Sequence, residues 1–207
     1  LGGEDGIRGG SGDDRVWGGS GNDEIEGGEG NDRIYGESGA DVIDGGSGDD
    51  VMYGGVGNDV YWFGKGDGKD VIGGESFPWW EGTIGFNVLK LKSGVTAEEV
   101  RLTRIGDGLV LSLEGTADSI TASNFFYAND PNNGLNTLQE VHLADGTIWD
   151  MAALLKTKGL TGTAGSDALS GSNWSDTISG LGGDDALYGL GGEDGIRGGS
   201  GDDRVWG

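Results

Sequence analysis

Gly9-Gly10-Ser11-Gly12-Asp13-Asp14-Arg15-Val16-Trp17, Gly18-Gly19-Ser20-Gly21-Asn22-Asp23-Glu24-Ile25-Glu26 and Gly27-Gly28-Glu29-Gly30-Asn31-Asp32-Arg33-Ile34-Tyr35 are three consecutive copies of one nine-residue unit. Each reads Gly-Gly-x-Gly-x-Asp-x-U-x, with U a large apolar residue. Units beginning at Gly36, Gly45 and Gly54 extend the run, and Asp5 with Ile7 belongs to a preceding one. A second run starts at Gly162 and repeats at Gly171, Gly180, Gly189 and Gly198. Aspartate thus recurs every ninth residue from Asp5 to Asp59 and again from Asp167 to Asp203. A flexible Gly/Ser/Asp linker would have no apolar residue at a fixed ninth position, so the period argues for a stacked repeat.

The unit's chemistry follows from its residue types. Glycines at positions one, two and four relieve the Cβ clash that bars positive φ, so the backbone can bend sharply and turn its carbonyls inward. Those carbonyls meet the carboxylate at position six. An all-oxygen ligand set suits a hard cation, and calcium accepts six to eight oxygens in flexible geometry where magnesium demands a near-ideal octahedron. The x-U-x triplet predicts a very short strand whose central side chain faces the core. The expected core is Val16, Ile25, Ile34, Ile43, Met52, Tyr61, Leu169, Ile178, Leu187, Ile196 and Val205.

The nonapeptide resembles the calcium-binding repeats of RTX proteins. The resemblance implies an all-β fold, a parallel β-roll in two blocks around a β-rich insert, with two units per turn and loops on one edge recurring every eighteen residues. Asp5, Asp23, Asp41 and Asp59 would line one edge of the first block, and Asp14, Asp32 and Asp50 the other. In the second block Asp167, Asp185 and Asp203 share an edge, as do Asp176 and Asp194. An ion between neighbouring loops would be held by their carboxylates and by loop carbonyls, here those of Gly10, Gly12, Gly19, Gly21, Gly28, Gly30, Gly46, Gly48, Gly55 and Gly57. Neighbouring pairs number about five in the first block and about three in the second, so about eight calcium ions are expected.

Composition supports this reading. Thirteen basic residues stand against 36 acidic ones, for a net charge of −23, and 48 of the 207 residues are glycine. Such a chain cannot offset its ordering entropy unaided. About eight dications would supply roughly +16 and remove most of the self-repulsion, so binding energy becomes folding energy. No glycine run is followed by Gly-Lys-Ser/Thr, and the acidic surface would repel phosphate and nucleic acid.

Several units depart from the pattern. Trp174 replaces the fourth glycine, which puts the site near Asp176 in doubt; Glu37, Thr163, Ser172, Leu181 and Leu190 replace the second. After Tyr61-Trp62-Phe63-Gly64-Lys65-Gly66-Asp67-Gly68, Asp70 stands two residues beyond the periodic position. It reads as the next ligand displaced by a short insertion, closing a site beside Asp50. Asp67 and Lys65 read as a solvated turn.

From 73 to 161 the nonapeptide is absent, dividing the chain into a first block (1–72), an insert (73–161) and a second block (162–207). Asn87–Leu91, Val100–Ile105, Leu109–Leu113 and Leu138–Leu143 are predicted strands, the middle two joined as a hairpin by Gly106-Asp107-Gly108. Thr96 and Glu99 have capping-box spacing, and Asp150 could cap a short helix through Lys156. Gly94-Val95-Thr96-Ala97-Glu98-Glu99-Val100, Gly106-Asp107-Gly108-Leu109-Val110-Leu111 and Leu143-Ala144-Asp145-Gly146-Thr147-Ile148-Trp149-Asp150 resemble the haemolysin-type calcium-binding-related domain, which implies a compact β-rich unit without catalytic residues.

Catalysis finds little support. The chain has no cysteine, its one histidine, His142, lies on a predicted strand, and no serine sits in Gly-x-Ser-x-Gly. A non-catalytic part of a secreted enzyme is one alternative role. Recognition of a glycan or protein partner through Trp79, Trp80, Phe125, Phe126 and Tyr127 is another, set against the reading that these aromatics form the insert's core.

Leu1–Gly18 is identical to Leu190–Gly207, an offset of 189 residues, as expected for slightly more than one period of a tandem array. Joined at the overlap, Gly162–Trp206 would run into Gly18–Trp62 as one longer roll. The sequence contains no secretory signal and no apolar run of membrane-spanning length. The resemblance implies a secreted or surface protein of a Gram-negative bacterium that passes unfolded through a type I secretion channel and folds outside on meeting calcium. Lack of cysteine suits that passage.

Overall fold

The computed structural model describes residues 2–73, 85–133 and 135–207. The first block contributes β1 (Gly6–Ser11), β2 (Arg15–Ser20), β3 (Glu24–Glu29), β4 (Arg33–Ser38), β5 (Val42–Ser47), β6 (Val51–Val56), β7 (Val60–Phe63) and β8 (Lys69–Ile72). The insert contributes β9 (Val88–Leu91), β10 (Val100–Ile105), β11 (Gly108–Leu113), β12 (Ser119–Ala122), β13 (Glu140–His142), β14 (Ile148–Asp150), α1 (Met151–Lys158) and β15 (Leu160–Thr161). The second block adds β16 (Ala168–Ser170), β17 (Thr177–Gly182), β18 (Ala186–Tyr188), β19 (Gly195–Ser200) and β20 (Arg204–Trp206).

Alternate units lie on opposite walls of a parallel roll. Odd strands of the first block pair in register, with Ile7 beside Ile25, Ile25 beside Ile43 and Ile43 beside Tyr61. Even strands do the same, with Val16 beside Ile34 and Ile34 beside Met52. The U positions form the core as expected: Ile34, Ile43, Met52, Ile178 and Leu187 are completely buried. Val205 departs from the expectation at 50% exposed, because β20 is the edge strand of its sheet and no further rung covers it. Ile196, on the other terminal rung, is only partly buried.

β16, β18 and β20 keep to the expected three residues, but the strands of the first block are longer. β1 to β6 each span six, because the first two glycines of the following unit continue the ladder, as in the pairing of Gly28 with Gly46. Of the three glycines, those at positions two and four take positive φ, for example Gly28 at 122° and Gly30 at 120°. The first does not, and is required for space instead. A methyl group added at Gly18 would stand 2.5 Å from Asp23 Oδ2 and 2.8 Å from the Gly36 carbonyl oxygen. Glu37, Leu181 and Leu190 follow the same left-handed path as the second glycines at φ 74°, 75° and 77°, so the stack imposes that path even where a side chain makes it costly.

The insert continues the roll's sheets. β9 adds in parallel to β7 and β13 to β9, while β12 adds to β8, so both walls extend past Phe63 and Ile72. The hairpin β10–β11 forms as expected, with Ile105 opposite Gly108. β15 then joins β10 to β17, which makes a ten-stranded sheet common to both blocks and the insert. One apolar cluster runs from Val16 to Leu160, and Leu169, Ile178 and Leu187 form a second.

Local signals in the insert match their sequence. The Thr96 N–H donates to Glu99 Oε2 at 2.9 Å ahead of a single 3-10 turn. Asp150 Oδ1 accepts from the Ala153 N–H at 2.7 Å, and α1 runs two residues beyond Lys156 to end at Gly159 with φ 67°. Phe125 and Phe126 are fully buried with ring centroids 4.7 Å apart, so they are core rather than a recognition surface. Tyr127 is 49% exposed. Trp79 and Trp80 lie outside the described residues.

Candidate metal centre

Each turn places its position-six aspartate beneath the preceding loop of the same edge. Asp23 Oδ1 accepts the Asp5 N–H at 2.8 Å, Asp41 Oδ1 that of Asp23 at 2.9 Å, and Asp59 Oδ1 that of Asp41 at 3.0 Å. On the other edge Asp32 Oδ1 takes the Asp14 N–H at 2.8 Å and Asp50 Oδ1 that of Asp32 at 2.7 Å. The second block repeats this from Asp167 to Asp185, Asp176 to Asp194 and Asp185 to Asp203. The eighteen-residue stacking of the sequence reading is therefore observed on both edges.

The other carboxylate oxygen has no partner. Oδ2 of Asp5, Asp14, Asp23, Asp32, Asp41, Asp50, Asp59 and Asp185 is buried and accepts no hydrogen bond from the described residues. Leaving a buried charged acceptor unsatisfied costs about 1–3 kcal/mol or more. Asp32 Oδ2 and the Gly45 carbonyl converge on the space at Gly27 that a side chain would fill, and Asp41 Oδ2 and the Gly54 carbonyl do so at Gly36. The carbonyls of Gly10, Gly12, Gly28, Gly30 and Gly48 face the loop of the next rung. Among the described residues no three acidic or imidazole side chains come together, so a cation here must draw on backbone carbonyls. Hard oxygen donors, an orphaned carboxylate oxygen and a carbonyl cradle fit calcium. The first-position carbonyls, such as Gly45 and Gly54, were not expected as donors.

A second ladder was also missed. The position-five side chain of one loop accepts the backbone N–H of the next: Asp13 Oδ1 from Asn31, Asn31 Oδ1 from Asp49, and Asn22 Oδ1 from Ala40, each at 2.8 Å. The signal lay in the recurrence of short acceptors at this position, including Asn58, Ser166, Ser175, Asp184 and Asp202.

The block ends are finished differently. Asp70 Oδ1 accepts the Asp50 N–H at 3.0 Å, the place expected for a displaced repeat aspartate. Beyond Asp59 the neutral Asn87 takes the same role at 2.8 Å. Asp67 is buried rather than a solvated turn residue, because its Oδ2 meets Lys92 Nζ at 2.9 Å and accepts the Gly64 N–H at 2.7 Å. Lys92 Nζ also meets Asp44 Oδ1 at 2.7 Å, while Lys65 pairs with Glu99. His142 Nε2 lies 2.6 Å from Glu140 Oε2. Asp194 and Asp203 occupy terminal rungs, and Asp167 and Asp176 differ from the others in having Oδ2 filled.

Burial pushes the Asp50 and Asp59 carboxyls up to about 6 and that of Asp70 up to about 8, and raises Asp32 and Asp41 in the same direction. A carboxyl raised in the folded chain favours the calcium-free fold when protonated, so that fold gains stability as pH falls through these values. If these carboxylates hold calcium, the ion displaces their protons. Binding near neutral pH should therefore release protons, and calcium affinity should fall as pH is lowered from about 8 to about 5. Calorimetry in buffers of different ionisation heat measures the release; a pH-independent affinity would show that these carboxylates are not ligands.

The parallel roll with its recurrent orphaned oxygens defines a cation-binding nonapeptide solenoid. The RTX calcium-binding nonapeptide repeat matches residues 1–34, 26–61, 35–72 and 161–196, more than half of the chain, and the chain belongs to that family. The haemolysin-type calcium binding protein related domain matches residues 109–153. None of the curated proteins matches the chain. Among solved structures, the AlgE6R3 subunit from the Azotobacter vinelandii mannuronan C5-epimerase is 23% identical, with a TM-score of 0.38, covering 59% of this chain and 83% of that one. The extracellular lipase LipA from Serratia marcescens is 20% identical with a TM-score of 0.36; the match covers 93% of this chain and 27% of the lipase. RTX repeats are structural calcium-binding modules typical of secreted proteins of Gram-negative bacteria. Among the described residues no helix is long and apolar enough to cross a membrane.

Proposed function

We propose that this chain is a calcium-induced folding module, a non-catalytic extender of a larger secreted or surface RTX protein. The observation that carries the reading is the buried, unpartnered Oδ2 repeated from Asp5 to Asp59 and again at Asp185. The ligands would be these carboxylates with the carbonyls of the glycine turns, and Asp70, Asp194 and Asp203 would complete the terminal sites. Calcium supplies positive charge at each cradle. The aspartates orient the loops through Oδ1, and the glycines keep room for the ion. Residues 1–72 and 162–207 act as roll blocks and 73–161 as the insert that joins them.

The net charge of −23 keeps the calcium-free roll from closing. Extracellular modules bind calcium at about 10⁻⁴ to 10⁻³ M, so folding would follow exit from a type I secretion channel and oppose back-sliding. On moving the chain from chelator to millimolar calcium, its hydrodynamic radius should contract strongly, toward the compact dimension of a folded chain of this length. Size-exclusion chromatography with light scattering measures it. An equal radius in both buffers would argue against the folding role.

A further inference from the structure

In two loops Oδ2 is filled rather than orphaned. In the loop 162–167, Thr163 donates both its N–H and its hydroxyl to Asp167 Oδ2, at 2.6 and 3.0 Å. In the loop 171–176, Ser172 does the same to Asp176 Oδ2, again at 2.6 and 3.0 Å, while Asp176 Oδ1, which elsewhere accepts the N–H of a preceding rung, is left buried without a partner. Each hydroxyl also accepts the N–H two residues on, from Gly165 and from Trp174, both at 3.1 Å. Neither Thr163 nor Gly165, and neither Ser172 nor Trp174, takes positive φ. The corresponding residues of the roll proper, such as Gly28 and Gly30, both do. These two loops thus follow a different backbone path, although the Gly165 and Trp174 carbonyls still face the next rung.

We propose that the first turn of the second block takes no calcium, because Thr163 and Ser172 fill from within the loop the carboxylate oxygen that elsewhere awaits an ion. This rests on reading the other loops as calcium sites. The second-position residue then decides which loops are metal sites: glycine leaves the oxygen open, and a hydroxyl residue closes it. Glu37, Leu181 and Leu190 have no hydroxyl and keep the left-handed path, so their loops remain on the metal side of the division.

The insert supplies the rest of what this turn needs. In the roll a first-position carbonyl faces the carboxylate of the preceding rung; the carbonyl of Gly171 instead receives the Arg104 guanidinium. That side chain is 8% exposed, donates also to Asn129 Oδ1 and to the Gly106 carbonyl, and lies 4.5 Å above the Phe126 ring. The Asn173 N–H donates to the Asn129 carbonyl at 2.7 Å, and Trp174 packs against the main core. A fixed cation and an aromatic anchor hold the loop where an ion would otherwise be needed. The turn is a calcium-independent seat on which the later rungs stack, so those rungs begin on a formed neighbour rather than on an open chain.

Equilibrium dialysis with radioactive calcium tests the assignment. The double variant D167N/D176N keeps an acceptor oxygen in each loop and should bind as many ions as the unmodified chain. D23N/D41N, which touches all three neighbouring pairs of its edge, should bind fewer by about three. A loss in D167N/D176N overturns the assignment; a loss in neither variant means that the loops are not calcium sites at all, a separable failure. The unmodified chain provides a reading that misfolding of a variant cannot spoil. In chelator, hydrogen exchange at the Ser172 and Asn173 amides should be at least about tenfold slower than at Gly30 and Asp32. Equal exchange at all four, slowed only by calcium, would also overturn it.

Discussion

Gly39→Ala should cost the calcium-bound roll more than about 1.4 kcal/mol and so raise the calcium midpoint of folding. Gly39 holds φ at 140°, and a methyl group there would overlap the carbonyl of Gly21 in the rung before it. A side chain forced to such φ costs roughly 1–3 kcal/mol by itself. The clash adds to this, because backbone rather than a flexible side chain must give way and the spacing of the loops must open. Gly12 isolates the two effects. It has the same loop position and φ 105°, yet a methyl group there would meet nothing within 4 Å. Gly12→Ala should therefore show the conformational part alone, and a smaller shift. Equal shifts would mean that the approach of neighbouring loops carries no cost. Calcium titrations of the two variants, read by circular dichroism, make the comparison.

Asp23→Ala combined with Asp41→Ala should abolish most of the calcium response, while Asp107→Ala should leave it intact. Removing the Asp41 carboxylate takes the acceptor from the buried Asp23 N–H, and removing Asp23 takes it from Asp5. Each unsatisfied group costs about 1–3 kcal/mol, before any loss of bound metal is counted. Against a typical total of roughly 5–15 kcal/mol, this is a large fraction. Asp107 lies in the exposed turn of the β10–β11 hairpin; its backbone carbonyl, which alanine keeps, accepts the Phe126 N–H, and its side chain makes a 3.7 Å contact with Arg104, remote from the repeat loops of the first block. A normal response in the double variant would detach calcium binding from the repeat aspartates.

What could be read in the sequence was what recurs at fixed spacing. Val16, Ile25 and Ile34 announce the core because each recurs nine residues on, and Asp5, Asp23 and Asp41 announce the edge because alternate units stack. Asp150 and the Thr96–Glu99 pair could be read because their partners lie three residues away. The parts that escaped depend on separations outside both patterns. Asn87 follows Asp59 in the ladder after 28 residues, and Lys92 reaches Asp44 across 48. Arg104 meets Gly171 across 67, and nothing near either residue signals it. The six-residue strands were missed because the glycine pair was assigned wholly to the turn, although a glycine without side chain can continue a ladder as Gly10 does in β1. The position-five acceptors had the right period but were hidden by variety, since aspartate, asparagine and serine all perform the same task there.

The most direct test of calcium-driven folding is a titration of the unmodified chain with calcium, and separately with magnesium, followed by far-ultraviolet circular dichroism. Calcium at about 10⁻⁴ to 10⁻³ M should produce a cooperative gain of β structure that magnesium does not match. A chelated chain that already shows the full β spectrum, and gains nothing from millimolar calcium, would contradict the claim that ions at the orphaned Oδ2 atoms fold the roll.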